Sequence, residues 1–200
     1  MIAVLALAGC TGAGQSPSPS PTPTPSAKLE ECTKYETISS IAQGKGALPD
    51  VLVDCLGSSD QVRLSTLRGP MIIAVWASWC VPCSQELPLL QQFRDTYGDR
   101  VDVFGYALMD EAWEAEQGSL NWGVTLPGVV DPNGVNRASL GITAPPTTLF
   151  VDQGGHVVYT HPGALKSIAE IKHLASARSL RSTHSGRLTT SLRASRWPGA

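Results

Sequence analysis

Ala74-Val75-Trp76-Ala77-Ser78-Trp79-Cys80-Val81-Pro82-Cys83-Ser84-Gln85-Glu86-Leu87-Pro88 is the stretch whose reading decides the fold. The run that leads into it, residues 71–77, is wholly apolar and reads as a central strand buried on both faces. It stops at a Cys-x-x-Cys, after which Leu87, Leu90 and Phe93 recur on one helical face. Cys80 therefore stands just before, or at, the first turn of a helix. Unpaired backbone N–H groups and the positive end of the helix dipole point there. A thiolate is favoured over a thiol in that position, so the cysteine pKa falls and its reactivity at neutral pH rises. Strand, thiol pair and helix in this order suit disulfide exchange.

The longer pattern Trp76-Ala77-Ser78-Trp79-Cys80-x-Pro82-Cys83-x-x-Glu86-Leu87-Pro88 carries a family resemblance. Trp-x-x-Trp-Cys-x-x-Cys after an apolar strand resembles the thioredoxin fold. The full pattern is similar to the TlpA/ResA/DsbE-like branch of extracytoplasmic thiol–disulfide oxidoreductases. The resemblance covers residues 48–175 and implies an α/β thioredoxin fold, a central mixed sheet flanked by helices, with an N-terminal β-hairpin extension. It further implies a monomeric enzyme on the outer face of the cell membrane, using no cofactor and acting on protein disulfides or dithiols. A membrane electron donor or acceptor would serve it. Reduction of the haem-attachment disulfide of apocytochrome c and oxidation of newly exported proteins are both open directions.

Composition agrees with one domain plus extensions: 200 residues, 42% hydrophobic and 16% charged, with a formal net charge of −2. No basic stripe crosses the expected domain, so nothing there argues for nucleic acid. Residues 1–9 read as the end of a lipoprotein-type signal peptide. Leu7-Ala8-Gly9-Cys10 resembles the bacterial lipobox, which makes Cys10 the lipidated mature N-terminus. No Lys or Arg precedes the apolar run, so the true n-region is expected upstream of Met1. Residues 10–27 continue as a Pro/Ser/Thr stalk in extended polyproline II, about 3 Å per residue. Residues 28–47 form an N-terminal arm, and residues 176–200, basic and without apolar period, read as a disordered tail.

Once Cys10 is set aside, four cysteines allow three pairings. With Cys80 and Cys83 as the redox pair, Cys32 and Cys55 remain for a structural disulfide. Two free thiols or a second redox couple are the competing readings.

Along the chain, a weak helix is expected around residues 35–41 and a hairpin over residues 48–64. The helix after Cys83 should run past an internal Pro88 to a stop at Gly98. A strand at 101–108 precedes a helix capped by Asp110, then a strand at 124–130 and a short helix at 135–140. An apolar strand from Thr147 pairs with one at 156–160 through the turn at Gly154-Gly155. A final helix from Gly163 carries Leu165, Ile168, Ile171 and Leu174 on one face.

Within the site, Cys80 is the expected nucleophile and Cys83, one turn deeper, the resolving thiol. Pro82 stiffens the dipeptide between them. Many thioredoxins carry a buried Asp six residues before the attacking cysteine, but Ala74 occupies that position here. Glu86 shares a helix face with Cys83 and resembles the active-site glutamate of ResA-like proteins. A solvated helix glutamate is the plain alternative. Pro146 resembles the cis-proline of the thioredoxin loop, which lies against the cysteines and offers backbone to a bound peptide. Pro145 departs from that pattern because it has no N–H to donate. Trp79, Pro145 and Pro146 are candidate substrate contacts, and Trp76 is expected in the core. A copper carrier using Cys80, Cys83 and one histidine is the rival class. Two thiols alone make a poor closed metal site, and no metal is expected.

Overall fold

The computed structural model describes residues 28–35 and 41–178. Seven strands, β1 (Leu52–Cys55), β2 (Gln61–Arg63), β3 (Met71–Trp76), β4 (Asp102–Leu108), β5 (Gly128–Asp131), β6 (Thr147–Val151) and β7 (Val157–Pro162), form one mixed sheet. Their spatial order is β2-β1-β5-β4-β3-β6-β7. Helices α1 (Val81–Tyr97), α2 (Ala112–Asn121) and α3 (Ile168–Arg178) complete the fold.

Period-two alternation assigns the two faces of β3. Ile72, Ala74 and Trp76 pack with Leu87, Leu90 and Phe93 of α1, Ala115 of α2 and Ile171 of α3. Met71, Ile73 and Val75 face the other way, onto Leu48, Leu64, Leu67, Leu140, Ile142 and the Cys32–Cys55 pair. Every residue of β3 is buried, which is why the segment reads as an unbroken apolar run. Burying each large side chain of this kind is worth roughly 1.5–3 kcal/mol. β3 pairs parallel with β4 and antiparallel with β6, with Val75 opposite Thr147. That register brings the loop before β6 to the end of the sheet where β3 gives way to α1.

Several expectations are corrected. Asp110 does not cap α2; the capping position is Glu111, and the Asp110 carboxylate bonds Ser78 instead. Residues 135–140 form turns rather than a helix; the Asp131 carboxylate accepts the N–H groups of Val135 and Asn136, and the N–H of Arg137 bonds the Gly134 carbonyl three residues back. The expected strand at 124–130 is confined to Gly128–Asp131. The last helix starts at Ile168, where the Ser167 hydroxyl accepts the Glu170 N–H, and it runs past residue 175 to Arg178. In the arm, Thr33–Tyr35 is a 3-10 turn, and most of the expected helix at 35–41 lies outside the described residues. Cys10, the stalk and residues 179–200 also lie outside them.

The N-terminal hairpin joins the sheet through antiparallel pairing of β1 with β5. Two of the further points that hold the arm lie on α1 and β1. Arg94 of α1 donates to the Glu30 carboxylate and, at 2.8 Å, to the Tyr35 hydroxyl. That pairing holds the Glu30 carboxyl down to about 2. The second point is the Cys32–Cys55 disulfide, whose Cα atoms are 5.9 Å apart.

Candidate active site

Cys80 is the N-cap residue of α1, with an extended backbone at φ −87° and ψ 99°. Pro82 follows in the first turn, where its missing N–H costs no helical bond. The Cys80 carbonyl accepts the Cys83 N–H at 3.0 Å, so both cysteines belong to one tight turn. Their sulfurs are joined, with Cα atoms 5.3 Å apart. Cys80 is 4% exposed and Cys83 fully buried, an asymmetry that leaves Cys80 as the sulfur an incoming group meets first. α1 continues through Pro88, whose missing N–H removes one bond from the helix interior.

Glu86 is 1% exposed, so it is not a solvated helix glutamate. Its Oε1 accepts the Thr148 hydroxyl of β6 at 3.1 Å and the Leu165 N–H at 3.0 Å. Burial pushes its pKa up to about 6, while those two hydrogen bonds work in the opposite direction. A carboxyl titrating there can hold or release a proton near neutral pH.

The Pro145–Pro146 peptide bond is cis. Around it, the Pro146 carbonyl accepts the Gly163 N–H at 2.9 Å, and the Ala144 carbonyl accepts the Thr147 hydroxyl at 2.7 Å. Two carbonyls of the loop are thereby engaged within the protein. Beside it lies a cavity of about 460 Å³, lined among others by Ala144, Pro145, Pro146, Thr160 and Pro162.

Trp76 is buried and stacks edge-on with Trp122, their centroids 5.6 Å apart. Trp79 is 57% exposed and donates its indole N–H to the Met109 carbonyl at 2.9 Å. The sequence reading missed one group in this neighbourhood, Asp110. Its signal was an acidic residue directly after an apolar strand, which reads equally well as a helix cap. Among the described residues no group of three or more His, Cys, Asp or Glu side chains is gathered as a metal site, and no helix is long and apolar enough to cross a membrane.

The chain matches the Redoxin family over residues 42–177. It is 35% identical over 129 residues to the thiol:disulfide interchange protein DsbE of Xylella fastidiosa, covering 58% of this chain and 64% of that protein's length. It is 26% identical over 142 residues to the thiol-disulfide oxidoreductase ResA of Geobacillus kaustophilus, covering 70% of this chain and 80% of the relative. Among solved structures, MTB DsbF superposes with a TM-score of 0.58 at 25% identity, over 66% of this chain and 98% of that one. By sequence match and by architecture, this chain belongs to the Redoxin family, on a thioredoxin fold shared with DsbE- and ResA-like thiol–disulfide oxidoreductases.

Proposed function

We propose that this protein exchanges disulfides with exported proteins through Cys80 and Cys83. The observation that carries the reading is the pair of sulfurs joined across the first turn of α1, with the outer one at the N-cap. A helix N-terminus stabilises the thiolate formed when that bond opens.

In the reducing direction, the Cys80 thiolate attacks one sulfur of a substrate disulfide. The substrate bond breaks, a mixed disulfide forms and the second substrate sulfur leaves as a thiolate. Cys83 then loses its proton to the Glu86 carboxylate and attacks the Cys80 sulfur, which releases the first substrate sulfur. Glu86 returns that proton to a departing thiolate, and one from solvent completes the second thiol. The substrate gains two electrons and two protons, and Cys80–Cys83 becomes the disulfide. The oxidising direction is the same path reversed. Trp79 and the Pro145–Pro146 loop flank the approaching chain.

Cys32–Cys55 serves as a structural bond in an oxidising compartment. The lipobox-like Leu7-Ala8-Gly9-Cys10 and the proline-rich stalk support a lipoprotein held at the outer face of the cell membrane. There a membrane electron donor or acceptor resets the pair, and apocytochrome c is one candidate substrate.

Equilibrating the purified protein with glutathione buffers of graded ratio tests the reading and sets the direction. A Cys80–Cys83 couple near the potential of thioredoxin, about −270 mV, makes the protein a reductase. A much more oxidising couple makes it an oxidase. Failure of the pair to exchange with glutathione at all would refute the proposal.

A further inference from the structure

The turn that delivers Cys80 to α1 is held from outside by two consecutive residues. The Cys80 N–H donates to the Ala77 carbonyl at 3.1 Å, which makes Ser78 and Trp79 the middle of that turn. The Trp79 indole is tied to the Met109 carbonyl, and Ser78 is tied to Asp110. The Asp110 bonding is double: one carboxylate oxygen accepts the Ser78 N–H at 2.5 Å and the other accepts the Ser78 hydroxyl at 2.8 Å. Backbone and side chain of one residue are thereby fixed together.

Asp110 is 6% exposed, so water competes little for these bonds. Across from it, a Cβ at Gly118 of α2 would lie 3.0 Å from the Ser78 Cβ, so Ser78 is seated between α2 and the carboxylate. Met109 adopts φ 55°, a left-handed conformation unfavourable for a long side chain. Its N–H is bonded to the Asp131 carbonyl at 2.9 Å while its own carbonyl serves Trp79. Strain of this kind persists where the surroundings over-determine it.

We propose that Asp110 is a positioning residue for Cys80, acting through Ser78 to set the posture of the turn that places the sulfur at the mouth of α1. The proposal rests on the thiol–disulfide reading and deepens it. Asp110 works by geometry, not by its charge. An asparagine there keeps an acceptor for the Ser78 N–H and gains a donor for the Ser78 oxygen, so it preserves the arrangement without the charge.

The test compares wild type, Asp110→Ala, Asp110→Asn and Ser78→Ala as reduced full-length proteins. The readouts are the rate of Cys80 alkylation by iodoacetamide across pH, exchange with oxidised glutathione, and thermal unfolding. Asp110→Ala is expected to alkylate roughly tenfold more slowly at neutral pH, because the released turn no longer holds the sulfur at the mouth of α1. Ser78→Ala should slow several-fold, and Asp110→Asn should stay within about twofold of wild type. Equal rates for Asp110→Ala and wild type would overturn the proposal, and so would Asp110→Asn falling as far as Asp110→Ala. If Asp110→Ala does not melt cooperatively, Ser78→Ala decides: a rate equal to wild type overturns the proposal. Should wild type itself fail to exchange with glutathione, the thiol–disulfide reading falls. Normal exchange by an unaltered Asp110→Ala removes only the role of Asp110.

Discussion

The N–H of Leu165 donates to Glu86 Oε1 at 3.0 Å, so a carboxyl one turn past the cysteines ties α1 to the segment leading into α3. The same oxygen accepts Thr148 from β6. Burial holds the Glu86 carboxyl up at about 6, against 4.5 for an ordinary glutamate. Between those values the unfolded chain has lost the proton and the folded chain keeps it. The unfolded state then binds fewer protons, so stability falls as pH rises, by up to about 2 kcal/mol once pH passes 6. Glu86→Gln keeps an acceptor for both donors and should remove that slope. Urea midpoints of the oxidised proteins at pH 4 and pH 7.5 check it. Wild type and variant losing stability in parallel would sink the assignment.

The sulfurs have different expected roles. Cys80→Ser should abolish exchange with protein disulfides, because the outer nucleophile is gone. Cys83→Ser should keep the first attack and stop at a mixed disulfide. Mass spectrometry after incubation with a peptide disulfide reads the difference. A trapped adduct on Cys80→Ser instead would reverse the two roles.

Pro145 removes a backbone donor from the loop beside the site, and the neighbouring carbonyls of Ala144 and Pro146 are already bonded within the protein. A peptide adding as a strand therefore finds few partners here. Pro145→Thr restores one N–H, worth about 1 kcal/mol. It should raise kcat/KM on peptide disulfides several-fold and leave glutathione exchange unchanged. Identical peptide kinetics for the two proteins would remove Pro145 from the list of specificity determinants.

The Cys32–Cys55 bond closes a loop of 23 residues in sequence separation. By chain entropy such a closure stabilises by about 3 kcal/mol. Replacing both residues with Ser should lower stability by about that amount while Cys80 alkylation stays unchanged. A change in the glutathione equilibrium of Cys80–Cys83 would instead mark Cys32 and Cys55 as a second redox couple.

What the sequence determined by itself was the order of parts. An unbroken apolar strand, two thiols one turn apart and a helix with Leu87, Leu90 and Phe93 on one face are local patterns, legible from period and spacing alone. The hairpin, the turn at Gly154-Gly155 and the apolar face of the last helix were legible for the same reason. Tertiary structure decided what depends on partners distant in the chain. Asp110 reads as a helix cap in sequence, but a carboxylate goes to whichever N–H the fold brings near, and parallel pairing of β3 with β4 brings Ser78. Residues 135–140 read as a short helix in sequence, but the fold sets them in turns behind β5, with the N–H groups of Val135 and Asn136 on the Asp131 carboxylate. The state of Glu86 was likewise undecidable from its helix face. Its hydrogen-bond donors, Thr148 and Leu165, lie 62 and 79 positions away, and desolvation is a property of the packed molecule.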